Sequence, residues 1–295
     1  MQTPWGECDV ADAHVHFFSR RFFAALGEHC RIPADAVAAQ LKWELPPDEP
    51  CELAARWVGE LDTRGVARAA LIASIPEDEA STMAATAAHP DRFFAFAMIN
   101  PWVENAEVVK GLHAICLFPA MHVYSIQDKR VGPLLDQAAE HRCAVFVHCG
   151  MLTVGVRKKL GLPSPFDMRY SNPIDLHAVA LRYPTVRFIV PHFGAGYFRE
   201  ALMLADLCPN VYLDTSSSNS WMRYEGLDLA TVFRRALGVV GPNRLLFGSD
   251  SSFFPRGWNR EIFETQVRVL QEIGVGGEDA RKILGGNLQR VLTEF

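Results

Sequence analysis

The stretch VGPLLDQAAEHRCAVFVHCG, residues 131–150, holds two kinds of element in succession. Residues 131–141 have amphipathic helical spacing, and residues 144–148 form a short β-branched and aromatic run that closes on a histidine. Working outward, runs of the same type fall at 8–14, 67–73, 93–99 and 114–118 on one side, and at 186–190, 211–214 and 244–247 on the other. Amphipathic stretches at 52–64, 173–182 and 261–272 lie between them, and Tyr183-Pro184 and Cys208-Pro209 supply stop signals ahead of two strands. Eight strands alternating with helices predict an α/β chain folded as a closed (β/α)8 TIM barrel. An open doubly wound sheet fits less well, because no GxGxxG or GxxxxGK(S/T) phosphate loop follows the first strand.

The 295 residues suit a single domain, 1–295, with an inserted segment after strand 1. Residues 17–50 are too many for an ordinary βα loop. In a barrel that segment lies on the catalytic face, where it forms either a lid and pocket wall or an extra helix bracing the rim.

A net charge of -5 excludes the strongly basic footprint of a nucleic-acid binder. Hydrophobic residues at 49% against charged residues at 21% describe a chain that folds rather than one that stays disordered. The opening MQTPWGECDVADAHVH has no basic region followed by an apolar run, and no later stretch approaches the roughly 18 apolar residues of a spanning helix, so neither secretion nor membrane insertion is expected. Seven cysteines with no CxxC pair fit a reducing, cytoplasmic setting. The expected partner is a small-molecule substrate, and an apolar-rich barrel is also compatible with a homo-oligomer of unspecified order.

The first strand ends in DAHVH, residues 12–16. Alternation along a strand puts His14 and His16 on one face, close enough to share a cation, with Val15 opposite. Taken alone, two such histidines can equally be ordinary polar residues. Other strand ends add to them: AVFVHCG places His148 after the fifth strand, IVPHFGAG places His192 after the sixth, and LLFGSD places Asp250 after the eighth. A parallel barrel gathers its active-site groups at those ends. Imidazoles with a carboxylate and an open coordination position suit zinc or a similar first-row divalent ion.

This pattern, with the closing GGNLQRVL at 285–292, resembles the amidohydrolase superfamily, in its amidohydrolase-related (amidohydrolase 2) branch of metal-dependent hydrolases, lactonases and non-oxidative decarboxylases. GLHAICLFP at 111–119, residues 131–150 and NPIDLHAVALRYPTVRFIVPHFG at 172–194 extend the resemblance over most of the chain. The resemblance implies that His14, His16, His148 and Asp250 hold one divalent metal ion, zinc or alternatively manganese, and that Asp250 and His192 are catalytic. A bound cation lowers the pKa of water, Asp250 can accept the proton, and a protonated His192 can steady negative charge on the substrate oxygen. Members with two metals often carry a bridging lysine after strand four. This chain reads LFPAMH there, which implies a mononuclear site, with His192 a ligand only if a second ion binds.

The leading functional reading is a metal-dependent hydrolase of a small carboxylated ester, lactone or amide. The alternatives are a non-oxidative decarboxylase of a small unsaturated or aromatic acid, and a catalytically silent barrel that only binds a small molecule. Arg157, Lys158, Lys159, Arg169 and Arg256 supply positive charge near the expected mouth, where a guanidinium can grip a carboxylate. Arg169, Arg256, Tyr124 and His122 are the substrate-binding candidates, with Phe253, Phe254, Trp258 and Trp221 as apolar walls. Asp12 is expected on the face of His14, either orienting a ligand from below or hydrogen-bonding inside the barrel, and Asp214 either lines the site or caps a helix. Cys149, His29, His89, His141 and His177 read as structural or surface residues.

Overall fold

The computed structural model describes residues 1–294. Among them, eight parallel strands run in chain order around one sheet: β1 Ala11–Phe17, β2 Arg68–Ala73, β3 Phe93–Ile99, β4 Ala114–Leu117, β5 Ala144–Val147, β6 Phe188–Val190, β7 Val211–Asp214 and β8 Leu245–Leu246. The ring closes where the chain leaving β8 meets β1. The Ala13 amide donates to the Phe247 carbonyl at 2.8 Å, the Asp250 amide to His14 at 3.0 Å and the His16 amide to Ser251 at 2.7 Å. This is a TIM barrel, as the strand count predicts.

Apolar side chains divide between the two faces of the sheet. Ile72, Phe96, Met98, Cys116, Phe146 and Leu246 pack inside the barrel, where Leu288 and Val291 of the last helix, Asn287–Thr293, join them. A larger cluster outside joins the strands to the helices, with Trp57, Phe188, Phe233 and Leu270 among its fully buried members. Strands with both faces buried are near-continuous apolar runs, which is why they stand out in the sequence.

The first strand departs from expectation in two ways. It begins at Ala11 rather than residue 8, because the chain before it turns back in a two-residue antiparallel pair, and the Cys8 amide and carbonyl bond to Met1. The histidines therefore lie within β1 rather than at its very end. The register against β2 also shifts between Asp12 and Val15, a bulge. Ala11 and Ala13 face the barrel interior, whereas Val15 and Phe17 face the helices, so the bulge swaps the faces between them. His14 and His16 both lie beyond the swap and share the inner face, but Asp12 lies before it and points outward, not to the face of His14.

Outward-facing Asp12 becomes the clasp of the barrel. Its fully buried carboxylate accepts hydrogen bonds from the His14 amide at 2.9 Å, the Ser249 amide at 3.0 Å and the Trp258 indole at 2.7 Å, and also from the Ser249 hydroxyl. Trp258 is thus a buried partner of the clasp and no wall of the pocket.

The inserted segment does both things its length allowed. Helices α1 Arg20–Cys30 and α2 Ala34–Leu41 bury Phe22, Phe23, Leu26, Val37 and Leu41 against one another and against Val156 from the loop after β5, a core of their own. Ser19 caps α1 by accepting from the Phe22 amide and ties it to Asp78 with a 2.6 Å hydrogen bond. Phe18 and Phe22 stack at 3.9 Å, and Trp43 stacks on Phe253 at 4.1 Å, which pins the segment over the mouth.

Replacing Asp12 with Asn turns one acceptor oxygen into a donor facing hydroxyl and indole donors. Asp12→Asn is expected to lower the unfolding free energy by about 2–4 kcal/mol in urea titrations, since buried donors lose their partners. An unchanged midpoint would show that the clasp contributes nothing to closure.

Candidate metal centre

The carboxyl ends of the strands surround a cavity of about 400 Å³ whose lining includes His14, His16, His148, His192 and Asp250. His14 and His16 belong to β1, and His148, His192 and Asp250 follow the ends of β5, β6 and β8.

His14 is buried, and its Nδ1 lies 2.7 Å from Asp214 Oδ2. A carboxylate accepts, so His14 carries its proton on Nδ1 and presents a bare Nε2 to the cavity. Asp214 thus neither lines the cavity nor caps a helix; it sits behind His14 and orients it. Burial opposes charge on His14, yet the neighbouring Asp214 carboxylate raises its pKa. His16 Nδ1 lies 2.7 Å from Ser74 Oγ, whose hydroxyl donates to the Ile72 carbonyl at 2.9 Å. The serine proton is committed, so His16 must also donate from Nδ1 and keep Nε2 bare. Recession from solvent pushes the pKa of His16 down, which keeps the ring neutral.

Asp250 Oδ1 stands 3.3 Å from His16 Nε2 and 3.8 Å from His14 Nε2. Once both rings are set by their Nδ1 partners, these contacts bring lone pair to lone pair, an arrangement that a cation between them relieves. The three donor atoms lie within 4.8 Å of one another, alone in this among the described residues. Bonds of about 2.1 Å in a tetrahedral site imply donor separations of roughly 3–3.5 Å, so the trio fits a divalent ion with little movement. Asp250 adopts φ 59°, a left-handed conformation held by its amide hydrogen bond to His14. Recession from solvent works against its charge, but protons on the facing His16, His14 and His192 rings would hold the carboxyl well below the usual carboxylate range, a pull that a cation in the same place would also exert.

His148 lies on another wall of the cavity, beyond the 4.8 Å limit of the trio, stacked on Phe118 at 5.3 Å and edge-on to His192 at 5.4 Å. Its Nδ1 is buried with no hydrogen-bond partner, an orphan that a ligand in the cavity would satisfy. His192 also lines the cavity, in a left-handed turn at φ 55°, with Nδ1 2.8 Å from the Ser216 hydroxyl. Burial and the nearby His14 push its pKa down, so it starts neutral rather than protonated. Gly248 underlies the arrangement: a Cβ there would come within 2.6 Å of Asp214 Oδ1, 2.7 Å of Ser216 Cβ and 3.0 Å of His14 Cβ.

Several substrate-side expectations need correction. Arg169 is 82% exposed and forms an ion pair with Asp167, which caps the short turn Met168–Tyr170, and it lies outside the cavity lining. His122 and Tyr124 are also absent from the lining. The short helix Pro119–His122 ends on Val123 at φ 56°, which carries Tyr124 into the outer core, while Phe118 and Met121 form the wall instead. Phe254 is buried against Trp57, whereas Phe253 and Trp221 do line the cavity. Of the predicted cations, Arg256 and Lys159 remain at the mouth. Arg256 donates to the Asp250 carbonyl at 3.2 Å and lies 4.6 Å from the centre of the Phe253 ring; Lys159 lies 5.4 Å from that of Trp43. Ser74 and Ser216, which set the rings, escape the sequence reading. Ser74 follows an apolar strand just as Asp250 does, and that signal could have found it.

Residues 11–293 match the family model described as Amidohydrolase. The curated relative Protein fluG of Emericella nidulans is 32% identical over 111 residues, 37% of this chain, and the match spans 13% of that protein's length. A solved 5-carboxyvanillate decarboxylase from Novosphingobium aromaticivorans, complexed with manganese, superposes with a TM-score of 0.64 at 14% identity, covering 99% of each chain. A Pseudomonas putida protein described as a 2-pyrone-4,6-dicarboxylic acid hydrolase gives 0.62 at 16% identity, covering 97% of this chain and 98% of its own. At such identities the two structures speak for the fold alone, while the family model follows the chain from the first barrel strand to the last helix. The protein belongs to the amidohydrolase family that this model describes, a metal-dependent enzyme family of the amidohydrolase superfamily.

Proposed function

We propose that the protein is a metal-dependent hydrolase of a small carboxylated ester, lactone or amide, with one divalent ion, zinc or manganese, held by His14, His16, His148 and Asp250. The observation that carries the proposal is the pre-set pair of bare imidazole nitrogens facing Asp250 Oδ1. When bound, the ion would supply Lewis acidity, polarising the scissile carbonyl and making water a nucleophile near neutral pH.

Hydrolysis must remove a proton from water, and the groups facing the cavity are acceptors: Asp250 is held ionised and His192 neutral. Asp250 takes the proton and can return it to the leaving oxygen or nitrogen, while neutral His192 on the neighbouring wall accepts a hydrogen bond from the water or the substrate. Arg256, held against Phe253 and the Asp250 carbonyl, meets the substrate carboxylate, and Lys159 adds charge at the same mouth. Phe18, Trp43, Phe118 and Phe253 exclude water from the substrate's apolar body.

A second reading, non-oxidative decarboxylation of an aromatic acid, draws support from those aromatic walls and uses the same ligands. It needs a group that delivers a proton to the carbon losing CO₂.

Metal analysis by mass spectrometry is expected to find about one divalent ion per chain, lost in a still-folded His14→Ala/His16→Ala variant. In H₂¹⁸O, label should enter the acid product; release of CO₂ without label would replace hydrolysis by the second reading. Arg256→Ala is expected to raise KM for a carboxylated substrate about tenfold or more, as a charged hydrogen bond is lost. Arg169→Ala should leave KM unchanged, and an unmoved KM in Arg256→Ala would remove the carboxylate anchor.

A further inference from the structure

Ser216 is fully buried behind the cavity wall, and its hydroxyl meets the Nδ1 atoms of His14 and His192 at 3.0 and 2.8 Å and Asp214 Oδ2 at 2.9 Å. A serine hydroxyl has a single proton to give. The 2.9 Å contact with Asp214 is oxygen to oxygen and needs that proton, because the carboxylate has none to offer. With its proton committed, Ser216 Oγ can only accept from His192. The Ser216 carbonyl, an acceptor by nature, lies 3.3 Å from the same Nδ1. Two acceptors facing one ring nitrogen require an N–H there.

We infer that Ser216 is a positioning residue that fixes His192 in the tautomer with its proton on Nδ1, leaving a bare Nε2 towards the cavity. Nε2 has no hydrogen-bond partner among the described residues, and the ring lines the cavity. In the resting enzyme His192 therefore accepts a hydrogen bond from whatever meets it and cannot donate one. The group it meets is the attacking water or an O–H or N–H of the substrate, not a carbonyl oxygen. His192 becomes a donor only after it has taken a proton on Nε2, and that proton is the one it can pass to the departing oxygen or nitrogen. This reverses the order of roles that the sequence suggests, in which a protonated His192 waits for negative charge.

The loop is built to hold the serine still. The Ser216 amide donates to Asp214 Oδ1 at 2.7 Å, and Gly248 leaves room for no more than a hydrogen beside Ser216 Cβ. Asp214 and Ser216 thereby orient His14 and His192 through one shared hydrogen-bond group, so the wall that presents the ligand also presents the proton acceptor.

The test is long-range ¹H–¹⁵N correlation NMR of histidine-labelled, zinc-loaded protein, with His192 assigned by its loss in His192→Asn. The inference expects a pyrrole-type Nδ1 and a pyridine-type Nε2 in the wild type. In Ser216→Ala both nitrogens should shift towards intermediate, tautomer-averaged values. A pyridine-type Nδ1 in the wild type overturns the inference, and so does an unchanged pattern in Ser216→Ala. The catalytic meaning rests on the hydrolase reading, but the tautomer does not: CO₂ release with the NMR pattern intact would reject the former and leave the latter standing.

Discussion

The carboxylate of Asp12 is the point on which the rest of this structure turns. A barrel needs its last strand to find its first, and here the ladder between them is short, since β8 is only two residues long. Asp12 gathers the amide and hydroxyl of Ser249 and the indole of Trp258, drawing the chain after β8 against β1. One residue further on, Asp250 donates its amide to His14 and its side chain reaches the two histidines. Closure and assembly of the candidate metal centre are therefore one event. A buried carboxylate without partners would be strongly unfavourable, and this one is surrounded by donors.

The bulge in β1 is the second constraint. Without it, residues 11, 13, 15 and 17 would share one face, and His14 and His16 would point to the helices. The extra residue lets Ala11 and Ala13 fill the barrel below while the histidines occupy the same interior above. Backbone irregularity recurs at two other positions that line the cavity, His192 and Asp250, both left-handed. Such positions persist where surrounding hydrogen bonds over-determine them, as the amide of Asp250 illustrates.

Much of this was legible beforehand because strands buried on both faces announce themselves. The expected runs at 67–73, 93–99, 114–118, 144–148 and 211–214 differ from the strands by no more than a residue at either end. Of the residues that end those runs, Phe118 and His148 line the cavity, while Asp214 stands behind His14. What could not be read depends on partners far along the chain: Asp214 reaches His14 across 200 residues and Ser216 reaches it across 202. Local pattern also failed where a single turn changes direction. A left-handed Val123 took Tyr124 out of the site, and a nearby aspartate turned Arg169 outward. The bulge has no sequence signature, so the face of Asp12 was misjudged even though the pair after it was placed on one face.

The inserted helices carry a consequence of their own. Their apolar residues pack mainly on one another and on the loop after β5, and they reach the mouth through stacked rings, Phe18 on Trp43 and Trp43 on Phe253. The histidines, by contrast, take their orientation from Ser74, Asp214 and Ser216, none of which belongs to that segment. The outer aromatic cover and the hydrogen bonds that orient the histidines thus come from different parts of the chain. Changes in residues 20–49 can therefore remodel the mouth of the cavity while the hydrogen bonds that orient His14, His16 and His192 stay in place.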